Sequence, residues 1–500
     1  MLYLLFADDG ILLCDKVTDI PTVLAHLWSE AQKVGLGPND KTVIKIFGKR
    51  PPKPSQVYHM GSLEVKFVHS QVKYLGIWFM ADLSFRVHVK QVVARANQTL
   101  SGLARLNVRF PFFTCQQEER MWVSVALSRL WGSELWFFQH KKEIDDLDDY
   151  RLRKMHGVSK NCKVDAIRFL FGYIPAYSHL VMKAFAFYWK MWDKKDYSLE
   201  KQSLVLLWDA VRHGSPELVK DCWVLGLVRT AQHFGYKNPK VIGSLLRNEF
   251  EDTGEGFQRL VNGHRKGFFQ QVQLHSWFQV KEKVNSDLRL GFLWNTFHLR
   301  PRSARQVNKN ILLKHKRSFV RLFCSQHRFE VEYLRYFKGD NCVARDQRFC
   351  SHCSRLGRQF VGNEQHFVYH CPLFSEVRKN LLSDCHSLVR KWHLRGCIQN
   401  EGENSIEFSK RNKSVKSQGD TVRATLDWVS LLQEVHLEHI ISGYFRGICM
   451  PIEGYREISR FVGKFIHVIV EHKRLQYESL RLDFRSEVVY DRPEDQGEVC

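Results

Sequence analysis

The chain has 500 residues, 44% of them hydrophobic, which is enough apolar material for about three folded domains and excludes a disordered polypeptide. Lysine and arginine number 75 against 53 acids, and the net charge of +22 favours polyanionic partners over basic ones. The 13 scattered cysteines, the missing signal peptide and the lack of a bilayer-length apolar run argue against a disulfide-stapled secreted scaffold or a membrane span. The expected compartment is therefore nuclear or cytoplasmic.

The first element is Leu2-Tyr3-Leu4-Leu5-Phe6, then Ala7-Asp8-Asp9-Gly10, then Ile11-Leu12-Leu13-Cys14. Asp-Gly between two apolar runs is a hairpin signal, so two antiparallel strands are expected with Asp8 and Asp9 at the tip. Adjacent carboxylates repel, and the arrangement makes most chemical sense around Mg²⁺ (or Mn²⁺), which takes carboxylate oxygens together with substrate phosphates. Val23, Leu24, Leu27, Ala31 and Val34 then recur at helical spacing over 20–34, with Thr18 or Asp19 as caps. Gly35-Leu36-Gly37-Pro38-Asn39 ends that helix, and Thr42 to Phe47 reads as a strand. A second hairpin is expected over 72–79 around Gly76.

A helix over about 85–106 follows, with Val89, Val92, Val93, Ala96, Leu100 and Leu103 on its apolar side. Arg86, Lys90, Arg95, Arg105 and Arg109 leave it basic, and no acid occurs between Asp82 and Glu118, so phosphate contact is the favoured reading of its polar face. The acidic run at 145–149 reads as a charge complement to the N-terminus of a helix over 150–155. Aromatics at helical spacing fill 200–340 without assignable chemistry. The densest basic stretch runs from Arg300 to Arg321 and includes Arg302, Arg305, Lys309, Lys316 and Arg317, interleaved with apolar residues as in an amphipathic nucleic-acid-binding helix.

Cys350-x2-Cys353-x12-His366-x4-Cys371 has the spacing of a structural Zn²⁺ site, in which a Cys-x2-Cys turn aims two thiolates at one ion and a later His and Cys close a tetrahedron. His370 and His352 are alternative ligands by spacing. Four protein ligands leave no open position for a substrate. Arg345, Arg348, Arg355 and Arg358 flank the first cysteine pair and suit phosphate contact. Residues 399–421 read as a polar linker, and helices are expected over 422–443 and 455–480. No Gly-rich phosphate loop and no nuclease carboxylate cluster is present in the sequence.

Phe6-Ala7-Asp8-Asp9 with its apolar flanks resembles the catalytic hairpin of reverse transcriptases. Gly35-Leu36 followed by Asn39-Asp40-Lys41-Thr42 is similar to the next segment in non-LTR (LINE-type) retrotransposon enzymes, although the usual Gly-Leu to Lys spacing is one residue longer. Tyr74-Leu75-Gly76 looks like the primer-grip hairpin of that family. Leu130 to Trp136, Gly172 with Pro175, and the aromatic stretch 185–192 resemble its thumb region. Glu364-Gln365-His366 with Cys371-Pro372-Leu373-Phe374 resembles its Cys-Cys-His-Cys finger.

The resemblance implies an α+β chain. Its expected parts are a partial palm with an antiparallel sheet remnant over 1–84, a helical thumb over 85–199, a basic helical connection over 200–340, a zinc knuckle over 341–398, the linker, and a C-terminal helical region over 422–500. It further implies RNA template and DNA as partners, Asp8 and Asp9 as catalytic metal ligands, and Lys41 beside the incoming nucleotide. A complete polymerase site also takes a third carboxylate from an earlier strand, and fingers. The lone chain is therefore expected to be an inactive fragment of an RNA-directed DNA polymerase, or else a non-catalytic nucleic-acid-binding protein derived from a retroelement.

Overall fold

The computed structural model describes residues 2–6, 9–14, 16–33, 35, 37, 41–47, 57–68, 71–109, 114–213, 222–236, 242, 246, 256–298, 306–334, 343–402 and 452–487. The fold is α+β, with helices predominating and seven short strands among the described residues. The chain divides into two compact units: Met1–Ser101 with Val123–Ile144 and Lys183–Thr230, and Gly102–Trp122 with Asp145–Met182 and Ala231–Cys500. These units interleave along the chain. No helix among the described residues is long and apolar enough to cross a membrane.

In the first unit, β1 (Leu2–Phe6) and β2 (Asp9–Leu13) pair antiparallel, with Phe6 opposite Asp9. Asp9 is thus the first residue of β2 and does not sit in the turn; Asp8 lies outside the described residues. The predicted helix is α1 (Ile20–Lys33). Its Leu24 packs on Tyr58, Met60 and Val65 of a small sheet, with β3 (Val43–Ile44) parallel to β5 (Leu63–Phe67), and β5 antiparallel to β4 (Tyr58–Met60). The strands therefore form separate small sheets among the described residues, one with a parallel pairing, in place of a single antiparallel remnant. Two residues suffice for the β3 pairing, which is shorter than the apolar run 42–47 led one to expect.

The second predicted hairpin is present as β6 (Gln71–Tyr74) and β7 (Ile77–Met80). Its two turn residues, Leu75 and Gly76, both have positive φ (46° and 86°), the primed-turn conformation whose twist matches that of paired strands. The turn tolerates leucine at a position that favours glycine or asparagine. Helix α2 (Arg86–Arg109) follows, and Val89, Val92, Ala96, Leu100 and Leu103 are buried at the expected spacing. Buried His88 ties three segments together: its Nε2 lies 2.8 Å from the Trp131 carbonyl, and its Nδ1 accepts the Trp78 N–H at 3.5 Å. Burial lowers its pKa, which favours the neutral ring that this pairing needs. Trp136 also donates to the Trp131 carbonyl, at 3.2 Å, so the Leu130–Trp136 motif acts as a packing pivot.

The second unit holds the largest core. Phe169 of α6 (Val164–Phe171) stacks on Trp277 of α10 (Gly256–Asn285) and on Trp294 of α11 (Gly291–Phe297). Helix α3 (Cys115–Met121) belongs to this unit, α4 (Ser133–Trp136) and α8 (Leu199–His213) belong to the first, and α5 (Lys141–His156), α7 (Ala176–Trp192) and α9 (Trp223–His233) have residues in both. Helix α12 (Leu313–Phe323) places Phe319, Val320, Leu322 and Phe323 in the same core, and α13 (Glu330–Tyr333) and α14 (Ser351–Arg355) follow. Helix α15 (Ser375–Gly402) continues through 399–402, where a linker was expected; 403–421 and the expected helix over 422–443 lie outside the described residues. The last helix, α16 (Ile452–Glu487), buries Val462, Phe465, Ile466, Ile469 and Val470 against this core.

The acidic run 145–149 lies within α5, not ahead of a helix. Asp148 is fully buried and accepts hydrogen bonds from Arg151 (2.8 and 2.9 Å), from Arg168 (2.7 Å) and from the Ala176 N–H (3.2 Å). Burial alone would push its carboxyl up, but the two guanidiniums outweigh burial and hold the pKa at about 2. Because the folded value lies below the unfolded one, the stabilisation is complete above about pH 4 and is lost as pH falls through about 2, an effect of about 2 kcal/mol. Urea denaturation from pH 6 down to pH 2 (roughly the span of that linkage) should show this loss, and Asp148→Asn should abolish the Asp148 component while destabilising the neutral-pH fold by about 3–5 kcal/mol. A variant with unchanged stability would contradict the assignment.

Candidate metal centre

A short antiparallel bridge, Phe349 to Val361, brackets the first cysteine pair. Cys350 caps α14, its N–H donating to the Phe360 carbonyl at 2.7 Å. Cys353 lies one turn on, where Gly357 reverses the chain with φ 72°. The third and fourth donors come from the wound segment His366–His370 and from Cys371, directly after it. Asn363 Oδ1 accepts the His366 N–H at 2.8 Å, fixing the start of this segment, and the Cys371 N–H donates to the His366 carbonyl at 2.7 Å. Arg378 donates to the Cys371 carbonyl at 2.6 Å, and Phe360 stacks on the His366 ring with centroids 5.4 Å apart.

These residues bring Cys350, Cys353, His366 and Cys371 together, all buried, with their donor atoms within 4.8 Å of one another. Cys350 Sγ lies 3.9 Å from Cys371 Sγ, and Cys353 Sγ lies 3.4 Å from His366 Nε2. A tetrahedron built on Zn–S bonds of about 2.3 Å and Zn–N bonds of about 2.0–2.1 Å has edges of about 3.8 and 3.6 Å, so the donor set fits zinc in spacing and in chemistry. Hydrogen bonding with Cys371 outweighs burial and pulls the Cys350 thiol well below its ordinary value, while the same contact pushes Cys371 up. One sulfur thus carries charge at its neighbours' expense, a competition that a divalent cation removes. His370 is exposed and His352 half-buried, and neither belongs to the group.

The surroundings of the centre include partners that sequence reasoning missed. Glu330 Oε1 accepts both the N–H and the hydroxyl of Ser351, at 3.2 and 2.9 Å, and binds Lys473 Nζ at 2.8 Å. Lys473 also sits 4.6 Å from the centroid of the Phe367 ring. Both members of this ion pair are buried, and it pins α16 to the element that presents Cys350 and Cys353. No local signal links Lys473 to the cysteines. Asn363, three residues before His366, is a readable cap signal. Arg348 turns inward to the carbonyls of Val331 and Val343, so it supports the knuckle and is not a free phosphate contact.

The other sequence-predicted site residues are dispersed. Asp8, Arg302 and Arg305 lie outside the described residues, and Asp9 is described only as the first position of β2. Lys41 is exposed just before β3. On α2, Lys90 and Arg95 are exposed, and Arg86 pairs with Asp82 at 2.9 Å. Two expected nucleic-acid contacts need correcting. Lys309 is buried against Glu119, and Lys316 is buried with both Glu118 carboxylate oxygens, at 2.7 and 2.8 Å, and with the Met155 carbonyl. Both cations neutralise α3 carboxylates inside the second unit, and their spacing in a basic run did not reveal that they turn inward. Arg317 is exposed. No known protein family, curated protein or solved structure matches the chain.

Purified protein should contain about one zinc per chain by elemental analysis, as four ligands closing one site require. Cys350→Ser or Cys371→Ser should lose the metal and lower the melting temperature, whereas His370→Ala should retain both. Metal-free protein of unchanged stability would refute the centre.

Proposed function

We propose that the chain is a portion of a non-LTR retrotransposon RNA-directed DNA polymerase, containing the end of the palm, the thumb and a zinc knuckle, and that it holds RNA template and DNA in a nuclear or cytoplasmic setting. The observation that carries this reading is the geometry taken by two motifs in family order. Phe6 of the first strand pairs with Asp9, which leads the second, and far downstream the Cys-Cys-His-Cys donors meet at tetrahedral spacing. On this reading Asp8 and Asp9 belong to the Mg²⁺ (or Mn²⁺) site of phosphoryl transfer, which takes a further carboxylate from another strand. Lys41 would then lie toward the incoming nucleotide. The knuckle is structural, since its four protein donors leave no position open for chemistry.

The polar face of α2 carries the first phosphate contacts, because Lys90 and Arg95 project from a helix whose opposite face is buried. That exposed face and the closed knuckle need none of the catalytic parts. They equally suit a non-catalytic nucleic-acid-binding protein derived from a retroelement.

Fluorescence anisotropy with labelled single-stranded RNA and DNA should show binding that weakens steeply with salt. Replacing Lys90 and Arg95 together with alanine should flatten the slope of log K against log salt by about 1.4, at about 0.7 per phosphate contact. No binding at low salt would overturn the proposal. Primer extension with Mg²⁺ and dNTPs separates the two readings: synthesis lost in Asp9→Ala assigns catalysis to this chain, and binding without synthesis assigns it the carrier role.

A further inference from the structure

Helices α12 and α16 run side by side in the same direction. Ile311, just before α12, meets Gly463, where an added Cβ would come within 2.8 Å of Ile311 Cγ2. His315 faces His467, with ring centroids 4.9 Å apart, and Ser318 Oγ reaches His467 Nδ1 at 2.9 Å and Glu471 Oε1 at 3.3 Å. Gly463 permits this close approach, and the register advances by three or four residues on each helix. Continued by one turn, it sets Arg321 opposite Arg474.

The register aligns two cationic stripes. On α12, Lys314, Arg317, Ser318 and Arg321 share one face, while Lys316, Phe319, Val320 and Phe323 turn inward. On α16, Lys464, His467, Glu471 and Arg474 share the facing stripe. Lys314, Arg317, Arg328 and Lys464 are exposed, and Arg321 and Arg474 are half-buried. Burial first, and then the guanidiniums of Arg317, Arg328 and Arg474 against the carboxylate of Glu471, hold Arg321 below the ordinary guanidinium value. Glu471 is itself engaged by Arg474 at 2.6 Å. Glu471 offsets one of these charges, and Lys314, Arg317, Arg321, Arg328, Lys464 and Arg474 together leave the seam strongly cationic, a field that favours an anion.

We propose that the α12–α16 seam is a track for the phosphodiester backbone of single-stranded nucleic acid, with Arg317, Arg321 and Arg474 as its central contacts. This rests on the nucleic-acid reading above and adds a surface in the second unit, built in part by the C-terminal helix. From Lys314 to Arg321 the helix rises about 10 Å, a length that spans a short run of successive backbone phosphates. Guanidinium forks suit phosphate oxygens better than a point charge does.

The test uses the full chain and labelled oligo(dT) and oligo(U) of about 20 nucleotides, titrated by anisotropy between about 50 and 200 mM KCl. Arg317→Gln/Arg321→Gln/Arg474→Gln should flatten the salt slope by about 2 and weaken binding about tenfold or more, and the corresponding triple lysine variant should retain most of the slope. Should the glutamine triple fail to fold by circular dichroism, the exposed single Arg317→Gln should still flatten the slope by about 0.7. Wild-type binding with unchanged slopes in these variants overturns the seam and leaves the broader reading standing; absence of wild-type binding overturns both. Loss of binding to phosphatidylserine vesicles with oligonucleotide binding intact would assign the seam to a lipid surface and likewise overturn the proposal.

Discussion

Three thiols and an imidazole within 4.8 Å of one another, closed off from water, form the constraint around which the second unit is arranged. Such a group is costly without a cation, because only one sulfur can hold charge comfortably beside the others. Its donors are fixed by backbone hydrogen bonds, by Asn363 at the start of the His366 segment and by Arg378 on the Cys371 carbonyl. The Glu330–Lys473 pair extends this order to the end of the chain, since Lys473 lies on α16 and Glu330 holds the turn that carries Cys350. A local knuckle thereby becomes part of the main core, which Phe367, Val368 and Phe374 share with Phe319 and Ile466.

The basic excess of the chain has two different uses. Arg151, Arg168, Lys309, Lys316 and Lys473 are buried and matched to Asp148, Glu119, Glu118 and Glu330. Pairs of this kind contribute modest net stability but make removal of either partner expensive, so they fix which helices lie together. Lys90, Arg95, Arg317 and Lys464 are exposed. Those cations shape the field that a polyanion would meet, and a net charge read from composition counts both groups alike.

Periodicity made much of the local structure legible. The α1 and α2 helices, both hairpins and the long C-terminal helix fall close to where their apolar spacing places them, because burial of one face dominates local propensity. The metal donors were legible for a different reason: a tetrahedral site takes ligands from short, stereotyped turns, and those turns leave a spacing. Spacing left His352, His366 and His370 open as ligands, and the fold selects His366 because Asn363 and Phe360 aim its ring inward. The acidic run in α5 misled, since sequence shows its charge and not Arg168 waiting on another helix.

The sequence by itself determined the chemistry available to this protein: an Asp-Asp pair leading into a strand, a Cys-Cys-His-Cys set, and a strong excess of cations. Tertiary structure decided how that chemistry is deployed. It turned Lys309 and Lys316 inward to Glu119 and Glu118, brought Lys473 under the metal centre, and aligned Arg321 with Arg474 through the Ile311–Gly463 contact. The physical reason is range. Helices, hairpins and chelating turns are set by neighbours a few residues apart, whereas charge pairing and helix register depend on groups that meet only when distant segments pack.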